Sequence, residues 1–114
     1  AQARRAGNLL FIAGQRGIDP GTGELVEPTI EARARRTFEN LKAIAESAGG
    51  SMAAFLSTTV YVTDMKAHRP ALNRMYEEYF GEHLPTRTII EVRALNQDDI
   101  VEIDAVVLIQ EKSA

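Results

Sequence analysis

The chain is 114 residues long, 45% hydrophobic and 25% charged, a length and composition that fit one globular domain with one core and leave no room for two. A formal net charge of −3 gives no excess of Lys and Arg for a polyanion and so argues against nucleic acid as a partner. The absence of cysteine excludes disulfides, thiolate nucleophiles and thiolate metal sites; no apolar run approaches the roughly 20 residues of a membrane helix.

With no membrane run and no signal-peptide pattern at its start, a cytoplasmic location is the default expectation. Asn8 to Ala13 is a short run of large hydrophobes ending at Gly14, which reads as a buried strand. The turn-forming run Asp19-Pro20-Gly21-Thr22-Gly23 then predicts a loop. From Ile30 to Ala48 the apolar residues Ala34, Phe38, Leu41 and Ala45 recur at steps of three and four, the pattern of an amphipathic helix. Thr29 is its expected N-cap, and Gly49-Gly50 its left-handed stop. Arg33, Arg35 and Arg36 alternate with Glu31 and Glu39 and are expected on a solvated face, paired at helical spacing, rather than as a nucleic-acid patch.

Leu56 to Thr63 is dominated by β-branched residues and Tyr61, the strongest strand signal in the chain. Asp64 ends it. Pro70 is expected to open a second helix whose stripe is Leu72, Met75, Tyr76, Tyr79 and Phe80, closed by Gly81. Thr86 to Arg93 alternates Arg87, Ile89, Glu91 and Arg93 on one face with Thr86, Thr88, Ile90 and Val92 on the other. Ile100 to Gln110 is a further strand, and the turn-like Asn96-Gln97-Asp98-Asp99 between the two suggests a hairpin. The order strand, helix, strand, helix, strand, strand implies one α+β domain over residues 1–114, with both helices on one sheet face. A partner subunit is the expected cover for the other face.

His68, ahead of the second helix, and His83, in the loop after it, have no third ligand at chelating spacing and read as exposed structural residues. No metal site is expected. The nucleophile elbow and phosphate-loop patterns are absent. Two charges stand out: Arg87 just after Pro85, and Glu102 between Val101 and Ile103. A charge inside an apolar strand is costly unless paired or used. Arg87 offers a fork for a substrate carboxylate and Glu102 a group to orient or activate water; spacing alone leaves open that both are structural ions. In a tight hairpin Glu102 would lie opposite Glu91, about 13 Å along the strand from Arg87.

At these residues the sequence resembles the Rid/YjgF family, the reactive-intermediate deaminases, over essentially its whole length. The matching stretches are Gly7-Asn8-Leu9-Leu10-Phe11, Gly14-Gln15, Asp19-Pro20, Thr22 to Val26, Glu39 to Ile44, Ala48-Gly49-Gly50-Ser51, Thr58 to Met65, Asn73 and Tyr76 to Gly81. The most specific are Pro85-Thr86-Arg87-Thr88, Glu91-Val92 and Val101-Glu102-Ile103-Asp104-Ala105. The resemblance implies a chorismate-mutase-like mixed sheet assembled as a homotrimer, with a site in each cleft between subunits. It implies a hydrolase that converts 2-imino or 2-enamino acids to 2-oxo acids and ammonia without a cofactor. Arg87 matches the arginine that grips the substrate carboxylate, Glu102 the acid near the hydrolytic water, Asn73 a site-lining asparagine, and Gly14 the backbone position beside the carboxylate.

The sequence departs from the family pattern in several places. The family's site tyrosine falls immediately before Ala1, Ala13 replaces a frequent serine, Arg16-Gly17 replaces Ile-Pro, and Ile89 replaces a cysteine. Ile89 shares a face with Arg87 and is expected to give the pocket an apolar wall, changing substrate preference. Three alternatives accompany the deaminase reading. One is a non-catalytic small-carboxylate-binding regulator, and another a pathway-specific deaminase of the aminomuconate type. The least favoured is the endoribonuclease or translation-inhibitor role attached to some relatives by name, which an acidic chain without a metal set or stacking platform does not support.

Overall fold

The structure, a computed structural model, describes residues 1–110; residues 111–114, included in the domain expected from the sequence, lie outside the described residues. In chain order the elements are β1 (Ala3–Ala6), β2 (Leu9–Gln15), α1 (Ile30–Ser47), β3 (Phe55–Val62), α2 (Met65–Phe80), β4 (Thr86–Glu91) and β5 (Val101–Leu108). The strands form one mixed sheet in the order β1-β2-β5-β3-β4, so the α+β class and the two helices on one face are as the sequence implies.

The helices form where the apolar period places them. Thr29 accepts the amide of Ala32 and caps α1, whose buried stripe includes Ala34, Phe38, Leu41 and Ala45. That stripe meets Leu72, Met75, Tyr76 and Phe80 of α2 and the inward residues Leu10, Ile12, Val60, Val62, Val101, Ile103 and Val107 of the sheet. Phe38 is the hub, stacked on Tyr79 at 4.8 Å and edge-on to Tyr76 and Phe80. Opposite the helices the sheet is open: Phe11, Ile90 and Leu108 are 46, 43 and 42% exposed there.

Several expectations are corrected. β4 and β5 do not form a hairpin, because β3 lies between them: β4 pairs with β3 in parallel and β5 pairs with β3 antiparallel. α2 is the crossover that returns the chain to the start of a parallel strand. The segment after β4 then arches over the end of β3, where the Val92 amide bonds Val62 and the Thr63 amide bonds Ile100. Glu102 therefore lies opposite Tyr61, not Glu91.

α2 starts at Met65, capped by Asp64, five residues before the expected position. Asp64 takes a left-handed conformation and its side chain accepts the Ala67 amide, a stronger start signal than proline. Pro70 sits on the exposed side of the second turn, where it removes one backbone bond. His68 consequently lies inside the helix, half-buried, with Nδ1 2.6 Å from the Thr63 carbonyl oxygen; His83 is exposed in the following loop. β1, unread in the sequence, is an exposed edge that among the described residues pairs only with β2. β2 runs past Gly14 to Gln15 through an irregular register between Ile12 and Gln15.

The arginine cluster is not one solvated face either. Arg33 is buried and donates to the Val26 carbonyl at 2.7 Å and to Asp99 at 2.8 Å. Arg35 forks onto Glu78 of α2 at 2.9 and 3.0 Å, and Arg36 bonds Asn40. The acids at helical spacing are not their partners.

Candidate active site

Arg87 sits on the edge strand β4 opposite Thr58, whose side chain is buried beneath the helices, so Arg87 points to the helix side of the sheet. There its Nη1 donates to Oδ1 of Asn73 at 2.8 Å, and its guanidinium carbon lies 5.0 Å from the centre of the Tyr76 ring. The Tyr76 hydroxyl is locked by a short hydrogen bond with the Thr58 hydroxyl. Burial raises the Tyr76 phenol above its ordinary pKa, opposed by that hydrogen bond and by the charge of Arg87. The ring is thus a neutral, fixed platform under a cation. Asn73 and Tyr76 are three residues apart on α2, so one helix face holds the guanidinium from two directions. Ile89 lies next to Arg87 on the same strand face and is half-buried, as its alternation predicts.

Glu102 pairs with Tyr61 and is flanked in β5 by the buried Val101 and Ile103, so it emerges on the open side. Gly14 lies against it: a Cβ built there would stand 2.6 Å from Oε2 and 2.7 Å from the carboxyl carbon. Oε1 is 3.9 Å from Nε of Arg16. The rest of Arg16 clamps the turn before β5, donating to the Asn96 carbonyl at 2.8 Å, to Asp99 at 3.2 Å and to Gln97 at 2.8 Å. That turn needs clamping, since Gln97 and Asp98 both have φ above +50°.

Asp99 is buried between Arg16 and Arg33, with one carboxylate oxygen on each. Gly17 makes room for this arrangement, because a Cβ there would approach Cδ of Arg33 to 2.6 Å. The departure Arg16-Gly17 is therefore one structural unit with Arg33 and Asp99. Asn40 fastens it to α1 through the carbonyls of Arg16 and Ile18.

The residues singled out from the sequence fall into two groups. Arg87, Asn73 and Ile89 come together on the helix side of β4, and Gly14 and Glu102 come together on the open side. Arg87 and Glu102 face opposite sides of the sheet, two strands apart and offset by three residues of β3, about 10 Å along the strand. Sequence reading missed Tyr76, whose place in the apolar stripe conceals its second role, and Asp99, which the turn-like run Asn96 to Asp99 does not distinguish from its neighbours. Among the described residues no group of three or more His, Cys, Asp or Glu is placed to hold a metal ion. No helix among them is long and apolar enough to cross a membrane.

Comparison with known proteins gives a consistent result. A family model described as Endoribonuclease L-PSP matches residues 1–109. A RutC family protein of Pyrococcus horikoshii is 47% identical over 93% of this chain and 83% of its own length. A Salmonella typhimurium protein described as 2-iminobutanoate/2-iminopropanoate deaminase is 38% identical over 88% of this chain and 79% of its own. The crystal structure of RidA from an Antarctic Psychrobacter matches with a TM-score of 0.89 at 39% identity, covering 95% of this chain and 86% of that one.

Proposed function

The chain belongs to the L-PSP family, that of the Rid/YjgF proteins, and from that membership we propose that it hydrolyses 2-imino and 2-enamino acids to 2-oxo acids and ammonia. The reaction takes place in clefts between the subunits of a homotrimer. The observation that carries this reading is the Arg87 guanidinium, fixed by Asn73 and Tyr76 on an edge strand with its remaining donors uncommitted among the described residues. A planar fork held in this way suits a carboxylate, and lysine cannot replace it.

The two groups of site residues support a site shared by two copies. Arg87 and Glu102 look away from each other within one chain, while the open face around Glu102 carries exposed Phe11, Ile90 and Leu108. An apolar face of that kind favours assembly.

In the proposed reaction Arg87 binds the substrate carboxylate. An enamine is first protonated at carbon to give the iminium. Water then attacks C2, with Glu102 accepting the water proton; Glu102 returns that proton to the carbinolamine nitrogen, the C–N bond breaks as ammonia leaves, and the carbonyl forms as the hydroxyl proton passes to solvent. Gly14 leaves space for Glu102 beside the reacting carbon. The term endoribonuclease in the family description has no counterpart in the charge of this chain, which is −3 overall.

The test is ammonia and 2-oxo acid release from freshly generated 2-aminoacrylate and 2-aminocrotonate, for the wild type and Arg87→Ala. Acceleration that the variant loses supports the reading. Equal rates in both remove Arg87 from it, and no acceleration by the wild type leaves a carboxylate-binding protein.

A further inference from the structure

Arg87 stands beside one end of a groove between α2 and the edge strand β4. The groove has a volume of about 470 Å³ and is walled by Met65, Lys66, Arg69, Pro70, Asn73 and Glu91, a size that suits a small ligand. Asn73 belongs both to this groove and to the hydrogen bond that holds Arg87. A carboxylate on Arg87 therefore leaves the remaining carbons of its molecule at the groove's entrance.

The groove is cationic along one wall. Arg69 lies one turn of α2 before Asn73 and Lys66 nearly two, about 6 and 10 Å along the axis at 1.5 Å per residue. Both are exposed, and neither enters an ion pair among the described residues. They differ in this from Arg16, Arg33 and Arg35, which are all bonded to carboxylates. Glu91 closes the far end, its Oε1 accepting the Met65 amide at 3.0 Å. An anion that reaches Arg69 gains attraction, and one that extends as far as Glu91 meets a like charge.

We propose that this groove receives the substrate's side chain and selects 2-imino acids that carry a second carboxylate at about glutarate or adipate length. The inference rests on Arg87 as the anchor for the first carboxylate. Exposed ion pairs are individually weak, so the expected preference over a short monocarboxylate is moderate, about tenfold.

The test uses the product-like 2-oxo acids, so that binding is read apart from turnover. Calorimetric titration of the full chain at low salt should give dissociation constants for 2-oxoglutarate and 2-oxoadipate about tenfold below that for 2-oxobutanoate. The preference should disappear in the double variant Lys66→Glu, Arg69→Glu, and Arg87→Ala should weaken all three acids together. Glu91→Gln keeps an acceptor for Met65 but removes the charge, and should tighten 2-oxoadipate more than 2-oxoglutarate. Equal affinities in the wild type, or a preference that survives charge reversal, overturn the proposal. A protein that shows the preference but accelerates no imine hydrolysis keeps the groove and loses the deaminase reading.

Discussion

Oε2 of Glu102 lies 2.6 Å from the point where a Cβ on Gly14 would stand, so Gly14 is the position at which β2 admits the carboxylate. Gly14→Ala must move Glu102, since the alanine methyl is attached to backbone and the glutamate is the movable partner. If Glu102 orients the water as proposed, a displacement of about 1 Å lowers kcat by one to two orders of magnitude. KM should change less than about threefold, because Arg87 belongs to the other half of the site. Steady-state hydrolysis of 2-aminocrotonate checks both numbers; an unchanged kcat would show that Glu102 acts from a position Gly14 does not set.

Asp99 is buried with one oxygen on Arg33 at 2.8 Å and the other on Arg16 at 3.2 Å. Asp99→Ala leaves two guanidiniums facing a cavity and frees the turn at Asn96 to Asp98. Breaking a buried ion pair from one side costs about 3–5 kcal/mol, and that loss is expected in urea unfolding at fixed protein concentration. Asp99→Asn, which keeps the shape and loses the charge, should fall between the two. A loss below about 1 kcal/mol would mean that water reaches both arginines and replaces the carboxylate.

Much of the fold was legible in the sequence, because helix period, caps and β-branched runs are local signals. Ala34 to Ala45 and Leu72 to Phe80 bury the stripes their spacing predicts. The sheet order was not legible, since nothing in residues 86–110 shows that β3 separates β4 from β5. That insertion also separates Arg87 from Glu102 and places them on opposite faces. Arg33 illustrates the same limit in charge: its apparent partners one turn away are outcompeted by Asp99, which only the tertiary fold brings near. The site residues themselves came from resemblance; spacing marked Arg87 and Glu102 as unusual charges and went no further.

The Tyr76 ring under Arg87 and its hydroxyl on Thr58 separate two effects that one substitution would confuse. Tyr76→Leu removes the platform and should weaken 2-oxobutanoate binding about fivefold, within the range of a cation–π contact. Tyr76→Phe keeps the ring, so binding should change little while stability falls by about 1 kcal/mol from the lost buried hydrogen bond. The pH dependence has a definite sign. Burial raises the Tyr76 phenol above its unfolded value, so its neutral form favours the folded state, fully below about pH 10 and progressively less as pH rises beyond it. Tyr76→Phe should therefore flatten part of the alkaline stability loss; Tyr79, also raised by burial, contributes in the same direction. Equal binding losses in both variants would remove the ring from the account of Arg87.

Because Arg87 and Glu102 face opposite sides of the sheet, a site that uses both must draw them from different copies of the chain. Arg87→Ala and Glu102→Gln are each expected to be inactive alone. Unfolded together, mixed in equal amounts and refolded, they should regain activity, because some clefts then combine an intact Arg87 from one copy with an intact Glu102 from its neighbour. For random assembly into a closed ring, about a quarter of the clefts receive both, so the mixture should recover about a quarter of the wild-type rate. A Phe11→Asp change on the open face of both variants should abolish the recovery by preventing assembly, which light scattering would show as monomer. Mixing that restores nothing, although the refolded protein is oligomeric, would mean that the two residues do not meet in one site. Glu102 would then lose its role at the water, while the Arg87, Asn73 and Tyr76 cluster would remain a carboxylate site within a single chain.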